Sequence, residues 1–315
     1  MGTTMNICRL WTMPAVLLAF GWIAEATAVP VPAHGARDDV PRIAVVSAFA
    51  PELTILKHDL VGAAVHMVNG VEFTTGRLEG RDVVLFLSGI SMVNAAMTAQ
   101  LALDHFAIER IVFSGIAGGV APELGIGDVV VADRWGQYLE TVFARETEHG
   151  WKKPPFFEYP FGNFGMMFPR SVTVQRAGAP APETRFWFPA DPAMLAAARA
   201  AAGSVTLEHC TSEANCLQNP PEIVIGGAGV SGGAFIDNAA FRDYTFNTFR
   251  ALVLDMESAA VAHVAWANEV PFIAVRSLSD LAGGNAEGNQ LDIFFRLAAD
   301  NATRVVRALL RALPE

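Results

Sequence analysis

The stretch Arg42-Ile43-Ala44-Val45-Val46-Ser47-Ala48-Phe49-Ala50-Pro51-Glu52 decides how the rest of the chain reads. Ile43 to Ala48 is an apolar run of strand length. Pro51 then falls where the first turn of a helix tolerates it, since its missing N–H is an orphan there anyway, and Glu52 follows. A buried strand that passes directly into a helix is the unit from which layered α/β proteins are built. Working outward, Val83 to Leu87 repeats the strand signal, and Asn94 to His105 has a helical pattern. Arg110 to Ser114 is a third buried strand, ending in Gly115-Ile116-Ala117-Gly118-Gly119. This alternation predicts an α/β fold with a largely parallel sheet flanked by helices.

Gly127-Asp128 turns into a further strand, Val129 to Ala132, after which the pattern dissolves. From about residue 144 to 222 the chain carries clustered aromatics, several prolines and two cysteines, with one helical stretch at Pro192 to Ala202. A loop this long in a compact domain reads as an insertion, whose aromatics either roof a pocket or pack on the core. Regular structure is expected again at Ile223 to Ile225, followed by a glycine-rich stretch and the segment Ala234-Phe235-Ile236. Val253 to Glu257 leads into a helix from Ser258 to about Asn268, and Pro271 to Arg276 is a strand ending in Ser277-Leu278-Ser279-Asp280. A last helix, Leu291 to Leu313, places Ile293, Phe294, Leu297, Ala298, Val305, Leu309 and Leu310 on one side.

Residues 1–28 have the parts of a secretory signal in order: Arg9, an apolar stretch from Leu10 to Ile23, and Ala26-Thr27-Ala28 as a cleavage pattern. Residues 29–41 read as a disordered leader, so the domain spans 42–315. This organisation predicts a periplasmic or secreted protein with no membrane attachment once the signal is removed. Cys8 leaves with the signal. Cys210 and Cys216 then remain as a pair for an oxidising compartment, and are expected to form a disulfide. With the adjacent His209 they leave a zinc site one ligand short, so no metal is expected. The net charge of −10, with lysine only at positions 57, 152 and 153, excludes the cationic stripe of a nucleic-acid binder and directs attention to small molecules.

Ligands of open α/β sheets collect beyond the carboxyl ends of the strands, which selects Glu52, Ser88, Glu257, Arg276 and Asp280. A lone carboxylate at such a junction is ordinarily a cap; several together suggest a site. The glycine run lacks the Gly-Lys-Ser/Thr ending of a phosphate loop, and neither glycine-rich stretch has dinucleotide-binding spacing. No Gly-x-Ser-x-Gly elbow is present. Kinase, dehydrogenase and serine hydrolase readings therefore fall away, and no cofactor is expected.

At these residues the sequence resembles the nucleoside phosphorylase superfamily, in particular its methylthioadenosine/S-adenosylhomocysteine nucleosidase branch. The resemblance is carried by Ala48-Phe49-Ala50-Pro51-Glu52, Ser88-Gly89-Ile90, the glycine run 115–119 and Gly127-Asp128-Val129-Val130-Val131. It continues through Gly233-Ala234-Phe235-Ile236, Asp255-Met256-Glu257-Ser258-Ala259 and Arg276-Ser277-Leu278-Ser279-Asp280. It implies three αβα layers around a central twisted, largely parallel but mixed sheet. The implied activity is hydrolysis of the N-glycosidic bond of a purine nucleoside. Glu52 resembles the residue that positions and deprotonates the attacking water, beside Ser88 and Arg276. Glu257 and the Met256 backbone resemble the ribose contacts, Asp280 the general acid, Phe235 the stacking ring and Ile236 the backbone contact to the base. A homodimer is implied as well.

Two alternatives stay open. A phosphate-dependent phosphorylase would carry arginines where this chain has Phe113 and the Arg-free stretch from Ala48 to Lys57, which favours water as the attacking group. A non-enzymatic nucleoside-binding or storage protein is disfavoured by the retention of Glu52, Glu257 and Asp280. Asp255-Met256-Glu257 stands where the nucleosidase pattern has Glu-Met-Glu, and it also resembles the AMP nucleosidases, so the 5′ substituent of the substrate stays open.

Overall fold

In the computed structural model, residues 39–211, 215–286 and 288–314 are described. The signal expected at 1–28 and most of the leader lie outside them. Regular structure starts at β1 (Arg42–Ser47), which is buried along its whole length. It runs parallel to β4 (Arg81–Leu87) on one side and β5 (Ile108–Gly119) on the other.

The layers follow from the two-residue period of a strand. Ala44 and Val46 of β1 face a core shared with Ala95, Ala99 and Ala102 of helix α2 (Met92–His105) and with α5 (Ser258–Ala267). Ile43 and Val45 face the opposite core. There they meet Leu53 and Leu56 of α1 (Ala50–His58), Met194 and Ala198 of α3 (Pro192–Ala202), and Val305, Leu309 and Leu310 of α6 (Leu291–Ala312). A strand buried on both faces needs a continuous apolar run, which is what residues 43–46 supply. Of the positions read as the apolar side of α6, Ile293 alone is exposed, at 48%.

β5 does not stop at Ser114. It continues through the glycines because β12 (Phe272–Asp280) pairs with it in parallel as far as Gly118. On its other edge β5 carries β1 along its first half and β11 (Ala251–Asp255) antiparallel at Gly118 and Gly119. Beyond β11 lie β10 (Ala228–Ser231), β7 (Arg134–Gln137) and an edge strand, β8 (Trp187–Pro189). Beyond β4 lies the antiparallel pair β3 (Val71–Leu78) and β2 (Val61–Val68). β6 (Val129–Val131) joins β12 to β9 (Ile223–Ile225). The sheet is therefore mixed and largely parallel, with twelve strands among the described residues.

Residues 144–222 are not one excursion from this frame. β8 extends the main sheet, and α3 fills the core against β12 and α6, with Asp191 capping it through Met194 N at 2.9 Å. The intervening chain forms short two-stranded ribbons. Its aromatics pack on α4 (Ala239–Phe249), a helix with no clear apolar period. Phe186 stacks on Phe249 at 5.5 Å, and Phe164 meets Phe241 edge-on at 5.0 Å. No described residue of 144–222 lines the cavity that Glu52 enters, so Phe164 and Phe186 pack and do not roof it. Cys210 and Cys216 face each other across an antiparallel bridge with their sulfur atoms at bonding distance. The His209 ring is engaged by the carbonyl of Leu217 at 2.7 Å.

Candidate active site

The ends of β1, β5, β11 and β12 converge on a cavity of about 240 Å³. Glu52 enters it from the first turn of α1, where Pro51 and the preceding extended residue Phe49 start the helix. The residue is 2% exposed. Oε2 accepts from the N–H groups of Ala48 and Phe49, both at 3.2 Å, and Oε1 accepts from Ile116 N at 3.1 Å. Burial pushes this carboxyl up, while Arg276 and the three backbone donors pull it back down.

Arg276 is buried on β12 with its guanidinium 4.0 Å above the Phe113 ring. Nε donates to Ser258 Oγ at 3.0 Å and forms an ion pair with Asp255 Oδ2 at 2.7 Å. Nη2 has no hydrogen-bond partner among the described residues. A buried donor left open costs about 1–3 kcal/mol, which marks Nη2 as a group waiting for an acceptor.

Glu257 sits at the start of α5, and its Oε1 accepts from Ser91 N at 2.7 Å. Ser91 has φ 81° and ψ 161°, a region disfavoured for residues other than glycine. Such strain costs about 1–3 kcal/mol and tends to occur at functional sites; here it aims a backbone donor at Glu257. Burial first, then the neighbouring Asp255 charge, push Glu257 up to about 7 against the opposing pull of Arg276.

Asp280 reaches the cavity through an irregularity. Leu278 pairs with Ala117, yet Asp280 pairs with Gly118, so Ser279 is an extra residue in β12. A bulge of this kind re-aims side chains, and it lets Ser279 and Asp280 both line the cavity instead of pointing to opposite faces. Oδ1 accepts from Ala282 N at 2.8 Å and Oδ2 from Ser279 Oγ at 3.0 Å. Burial is the main cause that pushes Asp280 up, helped by the charge of Asp237.

Met256, Phe235 and Ile236 also line the cavity, with Phe235 57% exposed at its mouth. The structure thus gathers Glu52, Phe235, Ile236, Met256, Glu257, Arg276 and Asp280 around one space. Ser88 is not in its wall. It is buried at the end of β4, where its N–H donates to Ser47 O at 2.8 Å and its hydroxyl to Gly89 O at 2.9 Å. Three groups escaped the sequence reading. Ser91 and Ser279 carry no motif of their own. Asp255 belongs to a matching motif and departs from the nucleosidase pattern there, with no role of its own in the sequence; in the structure it is the hub between Arg276 and α5.

At the far wall Phe49, Leu291 and Phe295 are apolar, with the Phe49 and Phe295 rings 5.5 Å apart. Among the described lining residues Arg276 is the one cation, against the carboxyl groups of Glu52, Asp255, Glu257 and Asp280. A cavity with this balance suits a neutral ligand in whose reaction positive charge develops.

The sequence profile of the phosphorylase superfamily matches residues 42–311. A 5′-methylthioadenosine/S-adenosylhomocysteine nucleosidase of Mycobacterium tuberculosis is 30% identical over 274 residues, covering 86% of this chain and 96% of that protein. The protein of the same name from Bacillus anthracis is 32% identical over 276 residues, covering 86% and 99%. Among solved structures, S-adenosylhomocysteine nucleosidase from Streptococcus pyogenes, in complex with 5-methylthiotubericidin, is 27% identical with a TM-score of 0.64, covering 89% of this chain and all of that one. Futalosine hydrolase of Helicobacter pylori, at 21% identity and a TM-score of 0.63 over 86% of this chain and 97% of that one, shares the fold.

Proposed function

Because this chain belongs to the phosphorylase superfamily, we propose that it hydrolyses the N-glycosidic bond of a purine nucleoside carrying a 5′ thioether, as in methylthioadenosine or S-adenosylhomocysteine. One observation carries the choice of water over phosphate. Among the described lining residues the single cation, Arg276, is already paired through Nε with Asp255, and Phe113 lies beneath it. A phosphate dianion would have only the Nη side of that one guanidinium to set against four carboxyl groups. The same argument applies to a 5′-phosphate, and the apolar wall of Phe49, Leu291 and Phe295 favours a thioether there.

The chemistry then divides between two ends of the cavity. Phe235 stacks on the base, and the Ile236 backbone bonds its edge. As the bond from C1′ to the purine nitrogen breaks, its electron pair leaves with the base, and Asp280 delivers a proton to N7. Positive charge building on the sugar is stabilised by Glu52 and Glu257, with Glu257 and Met256 holding the ribose hydroxyls. Glu52 orients the water that attacks C1′ and takes its proton. The open Nη2 of Arg276 offers that water a donor.

We extend the reading to place and assembly. The signal-like residues 1–28 and the facing Cys210 and Cys216 support a periplasmic or secreted protein with a disulfide. Exposed Ile90, Val93 and Met97, beside the cavity on and before α2, support a homodimer. The test of the substrate assignment is kcat/KM for methylthioadenosine against AMP. Placing a phosphate among carboxylates should cost several kcal/mol, so methylthioadenosine is expected to be favoured by about 10²-fold or more. A preference for AMP would refute the assignment.

A further inference from the structure

Asp255 is buried, and its two oxygens take four hydrogen-bond donors and one ion pair. Oδ1 accepts from Ser231 Oγ at 2.5 Å, Glu257 N at 3.2 Å and Ser258 N at 3.1 Å; Oδ2 accepts from Ser258 Oγ at 2.5 Å and lies 2.7 Å from Arg276 Nε. A carboxylate offers about four lone-pair sites, so Asp255 has no capacity left for a substrate. Its partners are the useful ones. One is the guanidinium beside Glu52, and the other is the backbone from which the Glu257 side chain springs. Ser231 Oγ in turn accepts from Ala259 N at 2.8 Å, so β10, β11, β12 and α5 are joined at this one group.

We propose that Asp255 is the positioning residue of the site, holding Arg276 and Glu257 in fixed relation to Glu52 so that the water and ribose contacts are made at once. It acts through those residues and touches no reacting atom. The inference rests on the nucleosidase reading for its kinetic consequences alone. The charged groups facing Glu257 are Asp255 from β11, Arg276 from β12 and Glu52 from α1, and Asp255 raises the proton affinity of Glu257. A charged group at this place therefore leaves a mark on the pH profile that a neutral hydrogen-bonding partner would not.

The experiment compares Asp255→Asn and Asp255→Glu with the wild type in kcat, KM and the acid limb of kcat/KM, together with the carboxyl titration of Glu257 by carbon NMR. In Asp255→Asn, kcat is expected to fall by about 10², as for a misplacement near 1 Å, with the smaller change in KM. Its acid limb and its Glu257 titration should both move to lower pH. Asp255→Glu keeps the charge, and should return the limb toward the wild-type position and recover part of kcat. Wild-type kcat and an unmoved limb in Asp255→Asn would overturn the proposal, as would an equal shift in both variants. Should Asp255→Asn not fold, Ser231→Ala removes one anchor without changing charge. A hydrogen bond to a charged group is worth roughly a factor of ten, so kcat should fall by about that much at nearly constant KM, and wild-type kinetics would refute the proposal. If the wild type turns over no nucleoside, the functional reading fails while the Glu257 titration still decides the role of Asp255.

Discussion

A Cβ placed on Gly115 would lie 1.9 Å from Nη1 of Arg276. The two residues face each other in register on β5 and β12, so the guanidinium occupies the space that a side chain at 115 would need. Gly115→Ala should therefore displace Arg276 from Glu52 and Phe113. Because Nε is tied to Asp255, the displacement is resisted and strains the strand pair. Overpacking of this sort costs about 1–3 kcal/mol, and a displaced catalytic group costs up to about 10² in rate. Kinetics and thermal unfolding of Gly115→Ala check this; wild-type values for both would show that the guanidinium has room to move.

The carboxyls of Glu52, Glu257 and Asp280 are all raised, with burial the largest cause in each. A raised acid holds its proton more tightly folded than unfolded, so its contribution to stability is complete below the unfolded value and is lost as pH climbs through the folded one. For Glu257 that window runs from about 4.5 to about 7. The thermal midpoint of the unliganded protein should fall across it. Glu257→Gln should flatten much of that slope, and an unchanged slope in the variant would show that Glu257 ionises freely.

Parts of this were legible from residues alone. Glu52 and Asp280 stand at strand ends next to a proline-started helix and a glycine run, and both face the cavity. Other parts were not, for physical reasons. The bulge at Ser279 exists only in the pairing of β12 with β5, and no local residue preference announces it. β2 is apolar in sequence but broken by Gly62 and His66 and mostly exposed, so it shows neither the unbroken run of a buried strand nor the polar-apolar alternation of a half-buried one. Pro192–Ala202 reads as a helix from its residues, but its place in the core, like that of β8 in the sheet, depends on contacts with α6 and β7 far off in sequence. Ser88 matched a pattern, yet its hydroxyl is spent on Gly89.

If Asp280 protonates the leaving base, Asp280→Asn should lose about 10²–10⁴ in rate on purine nucleosides and far less on a riboside whose leaving group departs without a proton. Glu52→Gln should slow both substrates, since water must attack whichever group leaves. Equal, small effects on both substrates would remove these residues from the mechanism.

Cys210 and Cys216 should be joined in protein recovered from the exported fraction. Mass analysis after alkylation without reductant should find no modified cysteine on the mature chain. Two alkylated thiols would contradict both the pairing and the compartment it supports.

The sugar product formed from methylthioadenosine in the presence of saturating phosphate tests the central claim most directly. With Arg276 committed to Asp255 and no other cation lining the cavity among the described residues, water is the group that attacks C1′. The expected product is free 5-methylthioribose, at a rate phosphate does not raise. Accumulation of 5-methylthioribose 1-phosphate would contradict the account, because it would require a phosphate site among the carboxylates that this cavity does not provide.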